Sequence, residues 1–506
     1  MPRLARFLLP SLADVIFVAT LLALLVGAGP RLLADCDTGY HVAAGQYMLV
    51  ERSVPQHDIF SWHEPAPRWI AFEWLSQVAI ALGHRWHGLD GVVGLAALLL
   101  ALTFAGLYRL LRRPGGNAWV ALAVLLLTVA TSALHWLARP HLFSLLLVVL
   151  WLDLLERHRA GGKSPLVLLP LSMLLWVNLH AGFIFGLALG ATYLVGALVR
   201  HLATPVAGRD RTRAALGALG IAGAACLVAT LFNPNGVQAL LHPLALLGAT
   251  FTLDHITEFR SPDFHALAIA PFALTLLLLV GLLARSDRKP DVEQVLQLLL
   301  FGYLALSAQR HIPLFALIAA PVLASQLEGL LGRWREHWLV CWLEQRSRAL
   351  VEIDATARGH LWCVAAVAVA VFVVDSGRLG YQFDKETKPV AAANFLRATP
   401  IAGRLFNEYE FGDYLIYSNW PGQRVFIDGR ADMYGDQLLQ DYYVVKRLQP
   451  GWQAVLDRYD IDWILFDTDS ALVRALHRDR GWQLVHADGV ASIFVRRFAA
   501  ETGGPG

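Results

Sequence analysis

The chain is short of charge. Only 16% of its 506 residues are Asp, Glu, Lys or Arg, against roughly 25% in an ordinary soluble domain, and that deficit excludes a soluble globular protein. Net charge is also small: 42 basic and 40 acidic residues leave +2, so no basic excess points to a nucleic-acid partner. Cysteine is scarce. The four residues Cys36, Cys226, Cys341 and Cys363 do not make a disulfide scaffold and read as free thiols. The H-E-x-x-H spacing of a zinc protease, internal repeats and low-complexity tracts are all missing.

What the chain has instead is apolar sequence, 56% hydrophobic residues with a mean hydropathy of +0.49. Crossing a bilayer takes about 20 apolar residues. Runs of that kind recur about eleven times, near 12–33, 89–110, 118–137, 142–155, 166–177, 183–199, 214–232, 267–283, 295–306, 314–330 and 361–374. The fourth, fifth and ninth are short. The first is followed by Asp35 and Asp37 rather than by a small-residue cleavage site, so it reads as a retained span and not a signal peptide. The expected fold is a polytopic α-helical membrane protein of about 11 spans.

Orientation follows from the connections. Alternate ones, beginning with Arg3 and Arg6 and continuing through Arg109, Arg112, Arg113, Arg157, Arg159, Lys163 and on to Arg358, carry about 20 cationic residues. The opposite connections carry about seven: Arg31, Arg52, Arg68, Arg85, Arg139, Arg260 and Arg310. The positive-inside rule then puts the N-terminus on the cytoplasmic side and everything after the last span outside.

Residues 1–380 are thus expected to form a transmembrane domain with a large first outer loop at 34–87, in which 40–50 and 69–82 are amphipathic and suit interfacial helices. Residues 381–498 are expected to form an extracytoplasmic α/β domain, with strands at 404–407, 423–427, 463–466, 482–486 and 493–496 and helices at 390–396, 437–448 and 470–478. From residue 381 on, about 14 basic and 17 acidic residues make the domain mildly acidic, a poor binder of lipid headgroups. The tail 499–506 reads as disordered.

Ionisable residues at a membrane boundary are expensive and mark function. They gather on the outer side. Asp35-Cys36-Asp37-Thr38-Gly39-Tyr40-His41 follows the first span, and if Asp37 caps the next helix, His41 lies one turn on along the same face. Helix capping alone is the alternative use of both aspartates. His57, Asp58, Glu73, Arg139, His141, Asn178, His180, Glu258, Arg260, Arg310 and His311 complete the outer set, with Asn233 and Asn235 in an Asn-Pro-Asn-Gly turn sequence. Trp69, Trp74, Trp136 and Trp176 fit an aromatic belt. Arg139, Arg260 and Arg310 oppose the topology bias, and holding a phosphate is their natural use. A carboxylate beside such cations can take the proton of an incoming hydroxyl, with Asp37 the candidate base and Asp35 the alternative. Asp35, Asp37 and Glu73 are also candidate hard-oxygen ligands for magnesium or manganese. In the tail, Asp428 and Arg430 either pair to stiffen a turn or reach an acceptor together with Asp432 and Tyr434.

The acidic Asp35-Cys36-Asp37 in a long first outer loop, the interfacial helices, the many spans and the outer C-terminal domain together resemble the GT-C glycosyltransferase superfamily. More narrowly, the chain is similar to a group of bacterial membrane proteins through Asp35-x-Asp37-x-x-x-His41, Glu73-Trp74-Leu75, Arg139-Pro140-His141, Trp176-Val177-Asn178-Leu179-His180, Asn233-Pro234-Asn235-Gly236, Gly403-Arg404-Leu405-Phe406-Asn407 and the run from Phe426 to Tyr434. The resemblance implies a polyprenyl-phosphate-linked sugar donor, membrane lipid around the spans, and a catalytic acid at Asp35 or Asp37. A lipid-linked glycan polymerase or ligase and a non-enzymatic assembly protein are the competing readings. A transporter is disfavoured, because its charges belong at mid-membrane.

Overall fold

The computed structural model describes residues 5–112, 116–162, 165–357 and 359–497. The expected tail 499–506 and the cations Arg3, Arg113, Lys163 and Arg358 lie outside the described residues. All eleven apolar runs are helical. Among the described residues six helices are long and apolar enough to cross a membrane: Trp74–Leu111, Ala118–His135, Phe183–Ala203, Arg209–Ala229, Leu267–Arg285 and Gln309–Gly332. Leu12–Gly27, Leu168–Leu179, Val292–Ser307 and Leu361–Asp375 are apolar but shorter. The helix His141–Arg159 closes with Arg157 and Arg159 in its last turn.

Both amphipathic stretches of the segment 34–87 hold helices, the second only from Trp74 onward. Asp37–Glu51 is one. The other is the first part of Trp74–Leu111, which breaks at His87 and at Gly88, whose φ of 56° favours glycine. Across that corner a Cβ on Gly83 would stand 3.1 Å from the Gly91 carbonyl oxygen, so small residues let the two halves meet. Only the part beyond Gly88 coincides with the expected span. Asp37 does not cap its helix as expected: Cys36 holds the N-cap position without a side-chain bond, and Asp37 is already in the first turn.

The C-terminal domain carries a four-stranded sheet, β1 (Arg404–Asn407), β2 (Ile461–Asp467), β3 (Trp482–Ala487) and β4 (Ala491–Arg496), in the order β1-β2-β4-β3. β1 runs parallel to β2, and the other pairs are antiparallel. Phe406, Phe426, Tyr442 and Phe466 fill the core behind it. The expected strand at 423–427 does not join the sheet. Its backbone polar groups are satisfied elsewhere: Val425 bonds Phe60 and Trp62 of the segment 34–87, and Phe426 donates to the Asn407 side chain at 2.8 Å. The expected helix at 437–448 starts earlier, as Ala431–Lys446, and Tyr409–Asn419 and Trp452–Arg458 are helices that periodicity did not single out. Tyr409–Asn419 packs against Asp37–Glu51 through Gly39, where a Cβ would lie 2.7 Å from the Asp413 carbonyl oxygen.

Candidate functional site

Where the segment 34–87, the adjacent ends of several spans and the C-terminal domain meet, they enclose a cavity of about 520 Å³. Asp35, Asp37, His41, Glu73, Arg139, His141, His180, Glu258, Arg310, Arg430 and Asp432 all line it. Eleven residues picked out along the sequence therefore share one wall system, and eight of them fall into two clusters and one separate cation.

The first cluster centres on Arg139. Asp35 accepts the Asp37 amide at 3.1 Å and fixes the turn ahead of the helix. The segment bearing Arg139 is tied to it, because Ala138 donates to the Leu32 carbonyl at 2.8 Å and accepts from the Thr38 hydroxyl at 3.2 Å. The guanidinium then donates to Asp35, and its Nη1 lies 3.1 Å from Asp37 Oδ2 and 2.7 Å from Glu258 Oε1. Burial opposes ionisation of Arg139, Asp37 and Glu258, and the pairing decides the balance. Burial raises Glu258, but Arg139 overcomes it and pulls that carboxyl down to about 2. Burial also raises Asp37, and there the opposing pull of Arg139 is outweighed with help from the charges of Asp35 and Glu258, leaving Asp37 at about 7.

Behind Asp37 stands a residue the sequence reading missed. Asp413, from Tyr409–Asn419, accepts the Gly429 amide with both oxygens at 3.1 Å and lies within hydrogen-bonding reach of Asp37. Burial and the Asp37 charge push Asp413 well above the usual carboxylate range. Glu410 and Lys446 line the cavity as well. The available signal was the spacing Glu408-x-Glu410-x-x-Asp413, a run of acids directly after the Gly403 to Asn407 motif.

The second cluster centres on Glu73. Its oxygens lie 3.8 Å from His41 Nδ1 and 3.6 Å from His180 Nε2. The Gly182 amide donates to His180 Nδ1 at 2.9 Å, so the neutral ring carries its proton on Nε2, facing Glu73. Burial drives Glu73 up to about 8 and His180 down to about 3, which leaves a protonated carboxyl and a neutral imidazole near pH 7. Burial lowers His41 as well.

Arg310 is the separate cation. It lies over the Phe259 ring at 4.6 Å, and among the described residues no carboxylate comes within the 4.0 Å of an ion pair.

Arg260, His311, Asn178, Asp428 and Tyr434 lie off the cavity wall, whereas Arg430 and Asp432 are on it. Arg260 is exposed and offers its carbonyl to the Gln309 amide at 3.0 Å. His311 bonds the Leu304 carbonyl at 3.2 Å. Asn178 accepts from the Trp74 indole at 2.6 Å and donates to Phe232 at 2.9 Å, which locks the second amphipathic helix to the spans. Asp428 and Tyr434 are buried beneath Arg430, the tyrosine hydroxyl donating to Asp428 at 2.6 Å. Arg430 itself donates to Asp428 at 2.6 Å and sits 2.7 Å from Asp58, with its guanidinium 4.6 Å from the centre of the Trp69 ring. Of the two uses weighed for Asp428 and Arg430, the pair in the turn is the arrangement present. Asp432 is bonded to His242 at 2.8 Å.

The donor set does not fit a divalent ion. Asp35 and Asp37 are both turned to Arg139, Glu73 is turned to histidines, and among the described residues no group of three or more His, Cys, Asp or Glu is arranged to hold a metal.

No protein-family model matches the chain, and no curated protein matches its sequence. Solved structures do. The oligosaccharyltransferase AglB of Archaeoglobus fulgidus, in complex with an inhibitory peptide and a dolichol-phosphate, superposes with a TM-score of 0.55 at 10% identity, over 97% of this chain and 74% of that one. The apo form of an oligosaccharyltransferase from the same organism gives 0.52 at 10% identity, over 90% and 69%. A weaker likeness, to ArnT from Cupriavidus metallidurans bound to undecaprenyl phosphate, has a TM-score of 0.45 at 14% identity over 97% and 99%.

Proposed function

We propose that this chain, which shares the GT-C fold of those oligosaccharyltransferases, is a bacterial inner-membrane glycosyltransferase that moves a sugar from a polyprenyl-phosphate-linked donor to an acceptor outside the cytoplasm. The observation that carries the reading is one cavity holding both Asp37, a buried carboxyl poised at about 7, and Arg310, a cation with an aromatic neighbour and no carboxylate partner within ion-pair distance among the described residues. The first is a base matched to neutral pH and the second an anchor for an anion.

In this reading the donor phosphate lies against Arg310 and its lipid runs out between the spans. An acceptor hydroxyl attacks the anomeric carbon; the new carbon–oxygen bond forms as the bond to the phosphate oxygen breaks. The electron pair leaves with the phosphate, and Asp37 takes the hydroxyl proton. Protonated Glu73 and the neutral histidines around it offer hydrogen bonds to the hydroxyls of the sugar. The excess of cations on the other set of connections supports a cytoplasmic N-terminus and an outer C-terminal domain.

Transfer by the purified protein tests the base. Asp37→Asn keeps the side chain's size and its melting temperature, and lowers transfer by about 100-fold or more. Full activity in the double variant Asp35→Asn with Asp37→Asn overturns the assignment.

A further inference from the structure

Carboxylates gathered at one point from distant parts of a chain are the donor chemistry that magnesium and manganese take. Asp35 and Asp37 stand at the start of Asp37–Glu51, and Glu258 comes from the turn Thr257–Phe259, far along the sequence. They meet at the Arg139 guanidinium, whose side chain is 13% exposed. The carboxylate oxygens stand 2.7 and 3.1 Å from Nη1, whereas magnesium draws its oxygens to about 2.0–2.1 Å, so ion and guanidinium cannot occupy the place together. The placement is built in. Ala138 is bonded on both sides, and Arg139 Nε is buried with no hydrogen-bond partner among the described residues, a cost that an exposed or mobile arginine does not bear.

We infer that Arg139 is an internal cation standing where such a carboxylate set holds a divalent ion: it positions Asp35, Asp37 and Glu258, the chain transfers sugar without a metal, and removal of the guanidinium opens a divalent-cation site. The inference deepens the proposed function and rests on it for its activity arm only. Arg139 is a positioning residue. It acts through the carboxylates, is permanently charged and matches them with a planar fork.

The test is a titration of the full-length purified protein with manganese alone, read by electron paramagnetic resonance with no substrate present. Wild type shows no manganese bound at the site. Arg139→Ala takes up one equivalent, and adding Asp35→Asn abolishes that uptake. Arg139→Gln, which preserves more of the side chain, serves in the same role if the alanine variant fails to melt cooperatively. A chelator leaves the wild-type transfer rate within about twofold of its starting value. The inference is overturned if wild type binds manganese in a way that Asp37→Asn removes, if chelation lowers the rate tenfold, or if a folded Arg139 variant binds none. A protein inactive on every donor sinks the functional reading, and the manganese titration still decides the cation site.

Discussion

Glu258→Gln exposes the balance that sets Asp37. Both carboxylates face the same nitrogen, Arg139 Nη1, at 3.1 and 2.7 Å, so their oxygens are at most about 6 Å apart. At an effective dielectric of about 20, two like charges at that distance repel by about 3 kcal/mol, equivalent to ~2 pH units. Arg139 lies between them and offsets part of this, which leaves an expected shift of about one unit. The sign is fixed: removing the Glu258 charge ends a repulsion and frees Arg139 for Asp37, so the Asp37 carboxylate becomes easier to form. The assay is the pH dependence of kcat/KM for sugar transfer. With Asp37 at about 7, the wild-type rate rises through neutral pH, and at pH 6 about a tenth of the base is ionised. In Glu258→Gln the same limb moves about one unit to the acid side. A limb that stays in place or moves to the alkaline side refutes the account of what holds Asp37.

Three further outcomes follow from other parts of the molecule. Arg310→Ala removes the proposed phosphate anchor and raises the donor KM by about 10- to 100-fold, from the 1.5–3 kcal/mol of a charged hydrogen bond, with a smaller change in kcat; a steady-state donor titration checks it. Arg430→Met strands Asp58 and Asp428, which share that guanidinium in full burial, and costs about 3–5 kcal/mol, read as a lowered melting temperature. Gly39→Ala drives a Cβ to 2.7 Å from the Asp413 carbonyl oxygen and 2.9 Å from Tyr417 Cβ. That overpacking costs about 1–3 kcal/mol, so the C-terminal domain loosens from Asp37–Glu51 and limited proteolysis between residues 376 and 390 becomes faster.

The apolar runs were legible because a bilayer demands them, and all eleven are helical, although among the described residues six helices are long and apolar enough to cross a membrane. The carboxylates and cations at the ends of those runs were legible for the same reason: charge at a membrane boundary stands out against an apolar background, and Asp37, Glu73, Arg139, His180 and Arg310 do share a cavity. What stayed hidden depends on how distant segments dock. Asp413 and Glu410 sit in a C-terminal domain with ordinary charge, where one more acid carries no signal until Tyr409–Asn419 is laid on Asp37–Glu51. The alternating run at 423–427 has the pattern of a strand, but its partner is the loop around Ser61 and not the sheet. Asn178 looked like a site residue because it is polar beside a span; its amide instead joins Trp74 to Phe232.

The most direct test is release of polyprenyl phosphate by the purified chain from a small panel of lipid-linked sugars, wild type beside Asp37→Asn. The account predicts release from at least one donor that is lost in the variant while its fold is retained. Release that is equal in both proteins, or none from any donor by a folded wild type, contradicts it and leaves an oligosaccharide ligase or an assembly protein as the better description.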